Sequence, residues 1–392
     1  MRLAPALTGM QTYPFVRLTE AKRRLLAAGA DLIDFGIGEP REETPAFIRA
    51  ALAEAIEPLS TYPQTEGLPE LRAAIAGWAR RRFGAALDPD TQVLPTMGSK
   101  EAIFHLAQVL GGGQVAIPAP AYPVYERGAL FAGKRVLELP LREEAGFLPD
   151  LDVVPAAAWR DVAVLWLNYP NNPTAATAPR ALYEHAAALA REHGFVVASD
   201  EAYSEIYFGD DPPASALEQA DLSGVAVFNT LSKRSSMPGY RSGFVAGDPE
   251  LIALLKRYRP NVGVAPQEFI QRAAIAAWGD EAHVDQVRAG YRAKRDALLP
   301  VLESGGLRSA GGEATFFLWL DAGPGPTRLP SGCSRTGSCS RPVRSSARPA
   351  PATCGWRSSR RCPSASARPS GSPRCCERRR PAARRPSAAR AC

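Results

Sequence analysis

The chain has 392 residues, of which 45% are hydrophobic and 22% charged, and its formal net charge is +7. This length can bury a large core and excludes a small disulfide-stabilised scaffold. The positive charge is confined to the end of the sequence. Residues 327–392 contain sixteen Arg, no Lys and one acid, whereas residues 1–326 carry 31 bases and 39 acids. Because this larger part is acidic, we expect no nucleic-acid partner for it.

The sequence predicts a soluble, cytoplasmic protein with no membrane partner. Its longest apolar runs, such as 162–167 and 195–198, are six and four residues long, far short of the roughly 20 that cross a bilayer. The N-terminal residues lack the uninterrupted apolar segment of a signal peptide. All seven cysteines lie within 327–392, so the rest of the chain gives no indication of redox compartment. No metal site is expected.

Between about residues 44 and 291, apolar runs alternate with stretches of helical spacing, which is typical of an α/β fold with helices on both faces of a sheet. In chain order the predicted helices are 44–56, 68–83, 99–109, 179–193, 249–257, 266–278 and 281–303. The predicted strands are 93–96, 114–118, 136–141, 162–168, 195–199, 225–229 and 243–246. Ligands of such open sheets bind beyond the carboxyl ends of the strands, so the residues there are the candidates for function.

Four polar segments lie next to predicted strands: GSKEAI (98–103), NYPNNPT (168–174), SDEAY (199–203) and TLSKRSSMPGYRSG (230–243). Each alone is a weak signal. Together, in this order, they resemble the class I/II aminotransferases of fold type I, over roughly residues 10 to 320. The resemblance implies pyridoxal 5′-phosphate (PLP) as cofactor. It also implies a large domain with a mostly parallel sheet covered by helices, and a smaller α/β domain.

The resemblance divides the chain into four parts. Residues 1–45 are expected to form an N-terminal arm and part of the small domain, and residues 46–290 the large PLP-binding domain. Residues 291–326 would begin the C-terminal small domain, and residues 327–392 form an anomalous tail.

Lys233 follows a predicted strand and precedes Arg241 by eight residues, as in the family. The alternative is a solvated surface lysine. A lysine in a partly buried, cationic site has a lowered pKa and is therefore a better nucleophile. The resemblance implies that Lys233 carries PLP as a Schiff base and later moves a proton as general base and acid.

Asp200 and Tyr203 stand at the end of another predicted strand. The resemblance implies that Asp200 pairs with the protonated pyridine nitrogen and keeps the ring an electron sink. Tyr203 would bond the ring oxygen O3′ and is the third expected catalytic residue. A carboxylate at position 200 could instead cap the following helix.

A set of residues is expected to bind the cofactor phosphate. The free N–H groups at the start of the helix that opens at Ser99 attract anions, although Ser99 could be a plain N-cap. Arginine binds phosphate through its two-pronged guanidinium. The resemblance implies this phosphate-binding set: Gly98, Ser99, Lys100 (mainly through its backbone), Thr230, Ser232 and Arg241.

Four further residues match family positions. Asn172 would also bond O3′, although the family usually has Gly where Ala175 stands. Tyr122 would stack on the cofactor ring, or be an ordinary loop aromatic. Tyr62 matches the tyrosine that reaches the phosphate of the neighbouring subunit, which implies a homodimer with shared active sites. Gly38 would let the substrate carboxylate approach the backbone closely.

The tail, residues 327–392, consists largely of Arg, Ser, Pro, Ala and Cys and lacks aliphatic periodicity. One interpretation is a disordered basic arm for nucleic acid. We favour an out-of-frame product. Read from the third base of each codon, residues 340–362 can be encoded so that they spell APGSFFGPAGAGYLRVALVPTL, which resembles the C-terminal segment of the family.

The hidden segment includes the arginine that binds the substrate α-carboxylate in the family. That arginine would span Cys354 and Gly355, and the nearby Arg357 is out of register. We place the frame slip between Ala322 and Thr327. A chain ending in this tail is expected to be unstable or inactive.

The predicted function is the transfer of an amino group between an amino acid and a 2-oxo acid, in a ping-pong cycle through pyridoxamine phosphate. PTMGSKEAIFHL, YPFVRLTE and FGIGEP are most similar to N-succinyl-LL-2,6-diaminopimelate aminotransferases of lysine biosynthesis, which use glutamate and 2-oxoglutarate. An aspartate, alanine or aromatic aminotransferase is the alternative. A non-catalytic PLP-binding regulatory domain is a third possibility, but no helix-turn-helix precedes residue 10.

Overall fold

The computed structural model describes residues 1–3, 5–8, 14–36, 38–321 and 323. The strands in these residues are β1 (Val93–Thr96), β2 (Gln114–Ala119), β3 (Arg135–Pro140), β4 (Val162–Asn168), β5 (Val196–Asp200), β6 (Val225–Thr230), β7 (Gly243–Gly247), β8 (Arg308–Ser309) and β9 (Leu320–Asp321). The helices are α1 (Pro5–Thr8), α2 (Pro14–Ala27), α3 (Ala46–Glu54), α4 (Pro69–Phe83), α5 (Ser99–Leu106), α6 (Val124–Phe131), α7 (Ala156–Trp159), α8 (Arg180–His193), α9 (Leu231–Arg234), α10 (Pro249–Tyr258), α11 (Glu268–Gly279) and α12 (Ala282–Ser304). Short 3-10 turns lie at Glu143–Ala145, Ala216–Glu218, Pro238–Tyr240 and Arg259–Val262.

A seven-stranded sheet in the order β1-β7-β6-β5-β4-β2-β3 is the centre of the fold. The β3, β2, β4, β5 and β6 strands pair in parallel, and β7 runs antiparallel to both β6 and β1. Strands β4, β6 and β7 are buried along their whole length, as expected for a sheet with helices on both faces. This confirms the predicted α/β architecture with a mostly parallel sheet.

The register brings the polar strand ends together on one side of the sheet, where the parallel strands have their carboxyl ends. Asn168 at the end of β4 lies opposite Asp200 at the end of β5. Because β7 is antiparallel, its first residue, Gly243, lies opposite both Thr230 at the end of β6 and Thr96 at the end of β1. The loops that follow β1 and precede β7 therefore meet on the same side.

Local sequence signals explain where several helices begin and end. Asp248 caps α10, since its side chain accepts hydrogen bonds from the N–H groups of the first turn, and Pro249 occupies the first helical position. Helices α4 and α8 end at Gly84 and Gly194, both in the left-handed conformation, which a glycine adopts without steric cost. The cores on the two faces of the sheet contain large buried side chains, among them Trp78 and Trp166.

The predicted strands and helices agree with the structure to within about three residues at each end. The longer helices α2 and α6, the one-turn helices α1, α7 and α9, and the short strands β8 and β9 were not predicted from the sequence. Helix α6 follows a proline-rich segment and contains Gly128, a combination that favours loops, and tertiary packing buries one of its faces instead.

The predicted tail, residues 327–392, lies outside the described residues. The division into domains stays a prediction, and α12 runs continuously across the boundary expected at residue 290. No helix in the described residues is long and apolar enough to span a membrane.

Candidate active site

A cavity of about 810 Å³ opens at the sheet edge where β4, β5 and β6 end. Most of the residues predicted for the site line it: Gly38, Ser99, Lys100, Tyr122, Asn172, Asp200, Tyr203, Thr230, Ser232, Lys233 and Arg241. Gly98 does not line the cavity itself and lies against Arg241, which does. Residues distant in sequence therefore form a single pocket.

Lys233 lies on the one-turn helix α9 and is partly buried. Its Nζ donates a hydrogen bond of 2.8 Å to the Gly38 carbonyl and lies 5.1 Å from the centre of the Phe316 ring. Burial lowers the pKa of Lys233 to about 8, and the positive charge of Arg241 acts in the same direction. The carboxylates of Glu39 and Asp200 oppose that shift. At pH 7 about a tenth of this amine is therefore unprotonated and nucleophilic, a few hundred times the fraction at the usual lysine pKa.

Asp200 is the buried acid of the cavity. One of its carboxylate oxygens accepts a 2.7 Å hydrogen bond from the Tyr125 hydroxyl, and the other accepts a 3.3 Å bond from the Ala202 N–H. Burial raises the pKa of Asp200 to about 6, although these two hydrogen bonds and the charge of Lys233 counteract it. A cationic group placed beside this carboxylate would stabilise its ionised form. A protonated pyridine nitrogen has the required charge.

The Asn-Asn-Pro turn after β4 is fixed by side-chain hydrogen bonds. The Asn168 amide donates to the Asp200 carbonyl at 2.8 Å, and its oxygen accepts from the Asn172 N–H at 2.9 Å. Ala175 stands where glycine was expected and keeps the left-handed conformation, with φ of 61°. The turn therefore retains its shape without the glycine. Gly312 packs so closely that an added Cβ would lie 2.3 Å from the Ala175 carbonyl oxygen.

The candidate phosphate site lies at the N-terminus of α5. Gly98 precedes this helix with φ of 70°, and an added Cβ would lie 2.5 Å from Nη2 of Arg241. The Thr230 and Ser232 hydroxyls are 2.9 Å apart on the same wall. Burial, and then the charge of Arg241, lowers the pKa of Lys100. Clustered cations next to the N-terminal N–H groups of α5 fit a dianionic phosphate, because an anion relieves the repulsion between the cations.

Aromatic rings form the remaining walls. Tyr203 makes edge contacts with Phe316 and Phe317, at 5.4 and 5.6 Å between ring centres. Tyr122 stands edge-on to Tyr125 at 5.8 Å. An added Cβ at Gly38 would lie 2.9 Å from the Phe317 ring. A glycine is thus needed at position 38 for the chain to pass this aromatic pair.

Besides Gly98, Tyr62 is the other predicted site residue that does not line the cavity. It is fully exposed, with a relative accessibility of 101%, and lies outside the cavity lining of its own chain. Its expected contact with a neighbouring subunit stays a prediction.

No role was predicted from the sequence for Tyr125, Asn168 or the Phe316–Phe317 pair. Tyr122 precedes α6, and no helix was predicted here, so the spacing of Tyr122 and Tyr125 gave no signal for Tyr125. Asn168 belongs to the NYPNNPT segment and ends a fully buried strand, so its polar side chain required a buried partner. That signal could have marked Asn168 as a candidate, although it does not identify the partner.

In the chain without cofactor, Lys233→Met should raise the free energy of unfolding at pH 7 by about 3 kcal/mol. The folded-state pKa of about 8 lies below the usual 10.5, so protonation of this amine opposes folding. As the pH rises from 8 to 10.5, the folded state has already released the proton and the unfolded state still holds it. Wild-type stability should therefore rise relative to that of the variant. Urea unfolding at several pH values measures this difference, and a constant difference across the window would contradict it.

Comparisons with known proteins agree with this geometry. The family model described as Aminotransferase class I and II matches residues 30–327. An LL-diaminopimelate aminotransferase of Nitratidesulfovibrio vulgaris (strain Miyazaki F) is 39% identical over 325 residues, 81% of this chain and 84% of the relative. A Thermus thermophilus structure described as a probable N-succinyldiaminopimelate aminotransferase is 32% identical, with 82% of this chain and 86% of that chain covered and a TM-score of 0.73. A single mutant of T. thermophilus aspartate aminotransferase is 30% identical, with 83% and 86% covered and a TM-score of 0.77. The chain belongs to the class I and II aminotransferases, a family that depends on pyridoxal phosphate.

Proposed function

We propose that this protein transfers an amino group from a 2,6-diaminopimelate substrate to 2-oxoglutarate, and that Lys233 and Asp200 are its central residues. The observation that carries the proposal is their shared cavity, which combines an amine with a pKa lowered to about 8 and a buried carboxylate. Bound PLP supplies an electron sink for the bond that breaks at the substrate Cα. The protein must hold the cofactor, exclude water and move one proton.

The described residues support a role for each part of that task. Arg241, Ser99 and the hydroxyls of Thr230 and Ser232 would hold the phosphate. Asp200, kept in place by Tyr125, would accept a hydrogen bond from the pyridine nitrogen. The Lys233 amine would take the proton from the substrate Cα and return it to the cofactor carbon, since a group with a pKa near 8 can do both near neutral pH.

Two diaminopimelate derivatives are candidates for the donor. Sequence analysis favoured the N-succinyl form. The N. vulgaris relative, at 39% identity, is named an LL-diaminopimelate aminotransferase, whereas the structure bearing the N-succinyl name is 32% identical. We therefore propose free LL-diaminopimelate as the preferred donor and the N-succinyl derivative as the second. Aspartate remains the alternative amino donor outside the diaminopimelate derivatives, supported by the structural likeness to an aspartate aminotransferase.

A panel of amino donors tests the substrate. The chain with the restored reading frame is loaded with PLP and given 2-oxoglutarate and LL-diaminopimelate, N-succinyl-LL-diaminopimelate, aspartate, alanine or phenylalanine, and glutamate formation is followed. We expect the highest kcat/KM with LL-diaminopimelate. Preference for aspartate would refute the substrate proposal and leave transamination intact.

Variants of the two central residues test the chemistry. Lys233→Ala should abolish turnover and the covalent, borohydride-reducible attachment of PLP. Asp200→Ala should retain that attachment and slow the half-reaction with the amino donor by several orders of magnitude, because the ring then lacks its partner carboxylate. Asp152→Ala is the control, since this exposed side chain lies outside the cavity lining. No helix begins directly after Asp200 in the described residues, so a single-turnover rate equal to that of the wild type in Asp200→Ala would show that Asp200 only stabilises the turn at Ala202.

The tail remains a separate proposal. We place a frame slip between Ala322 and Thr327, and the family match, which ends at residue 327, supports this position. The coding DNA around residues 322–330 is the direct test, because a missing or extra base should be found there. A chain with the restored frame should turn over faster than the chain as written, since it regains a carboxylate-binding arginine. Loss of an arginine–carboxylate pair costs roughly 2–5 kcal/mol of binding free energy where the partner charge stays buried. Equal activity of the two chains would contradict the proposal.

The homodimer with composite active sites is likewise a proposal, supported by the exposed Tyr62 ring. The proposed partners are the small-molecule amino acid and 2-oxo acid, and a second copy of this chain.

A further inference from the structure

The helix that carries Lys233 is too short to be stable by itself. Helix α9 spans only Leu231–Arg234, and Thr230 caps it by accepting a hydrogen bond from the Ser232 N–H. Helix formation requires an unfavourable nucleus, and a single turn recovers little of that free energy from its own hydrogen bonds. The position of Lys233 must therefore depend on contacts that α9 makes with other parts of the protein.

One such contact is a buried chain of hydrogen bonds from Ser235. The Ser235 Oγ lies 2.8 Å from Nε2 of His283, and Nδ1 of His283 lies 2.7 Å from a carboxylate oxygen of Asp280. The same Asp280 oxygen accepts the His283 backbone N–H at 3.0 Å. An ionised carboxylate only accepts hydrogen bonds, so Nδ1 carries the proton and Nε2 of the neutral ring accepts from the Ser235 hydroxyl.

This arrangement of Ser235, His283 and Asp280 has the connectivity of a serine nucleophile with its base and orienting acid. Its burial excludes that chemistry. Ser235 has no exposed surface and His283 is 3% exposed, and neither lines the cavity. A substrate has no access to the serine, and the chain of bonds must serve another purpose.

Arg234 makes a second contact with the same region. Its guanidinium donates to the Ala277 carbonyl at 3.0 Å and to the Glu281 carboxylate at 2.8 Å, and lies 4.7 Å from the centre of the Trp278 ring. Both residues that follow Lys233 in sequence therefore bind to residues 277–283, where α11 ends and α12 begins.

Ser236 shows that the backbone after α9 is held under strain. Its φ is +50°, an unfavourable value for serine that persists only when neighbouring contacts impose it. The Thr44 hydroxyl donates a 2.6 Å hydrogen bond to the Ser236 carbonyl. External contacts thus determine the path of the chain immediately after the lysine.

We propose that His283, oriented by Asp280, is a positioning residue that holds Lys233 toward the cavity through its hydrogen bond with Ser235. The proposal rests on the proposed role of Lys233. The physical benefit is a high effective concentration of the amine at one point of the cavity, which a freely moving turn would lose.

The test compares His283→Ala, Ser235→Ala and the double variant with the wild-type full chain. Amide hydrogen exchange of residues 231–236 is measured without cofactor, so that this measurement does not depend on PLP chemistry. The rate at which PLP becomes covalently attached to Lys233 is measured by borohydride trapping and peptide mapping, and thermal unfolding reports global stability.

Two control variants separate the local effect from general destabilisation. His185→Ala removes another histidine that contacts an aspartate, at 3.1 Å from Asp152, on the distant helix α8. Leu182→Ala opens a cavity in the core against α8 and lowers global stability while leaving the hydrogen bonds of Arg234 and Ser235 in place. In either control, the exchange rates of residues 231–236 should change no more than those of amides in the rest of the sheet.

We expect each single variant to accelerate exchange in 231–236 by about tenfold and to slow PLP attachment by a similar factor, as for the loss of one buried hydrogen bond of typical strength. The double variant should resemble the singles, because both remove the same bond. If His283→Ala fails to fold, Ser235→Ala, which removes only a hydroxyl, decides the question.

Wild-type exchange and attachment rates in Ser235→Ala would overturn the proposal. Additive effects in the double variant would also overturn it. If the wild-type chain does not attach PLP to Lys233, the proposed function of that lysine is wrong, and hydrogen exchange still decides whether the His283 contact holds α9.

Discussion

The antiparallel direction of β7 is the constraint on which the site depends. It brings the start of β7 beside the ends of β6 and β1, so Arg241 reaches the glycine that precedes α5. The contact is tight, since an added Cβ at Gly243 would lie 2.6 Å from the Asn229 carbonyl oxygen and 2.9 Å from the Ser99 nitrogen. A β7 parallel to β6 would begin on the opposite side of the sheet, at the amino ends of the parallel strands. The helix N-terminus and the guanidinium would then be far apart.

Three of the positive side chains of the cavity, Lys100, Lys233 and Arg241, lie toward α5, whereas the acid Asp200 lies at the other end. Burial lowers the pKa values of Lys100 and Lys233, and the positive charge of Arg241 lowers both further. At the other end, burial raises the pKa of Asp200. Each group is thus less stable in its charged form than it would be in water, and a ligand with an anionic end and a cationic end corrects both imbalances. This polarity also orients such a ligand in one direction only.

The sequence predicted the fold well where local patterns determine it and less well where tertiary contacts do. The fully buried strands read as continuous apolar runs, and their positions were correct. Helix α6 was missed because its local composition favours a loop. The left-handed conformation of Ala175 could not be inferred, since alanine rarely adopts that conformation. The roles of Tyr125 and Ser235 depend on partners 75 and 48 residues away, and local pattern contains no information about such pairings.

The position of β1 at the edge of the sheet has a consequence for synthesis of the chain. Among the strands that the structure describes, its one neighbour in the sheet is β7, and Val93 pairs with Ala246, so the ribosome must add about 150 residues before the partner exists. At cellular rates this takes on the order of ten seconds. During that interval a strand that is fully buried in the native fold lacks its hydrogen-bonding partner. The nascent chain thus exposes an unpaired apolar strand, the kind of segment that chaperones bind, until the last strand of the sheet has left the exit tunnel.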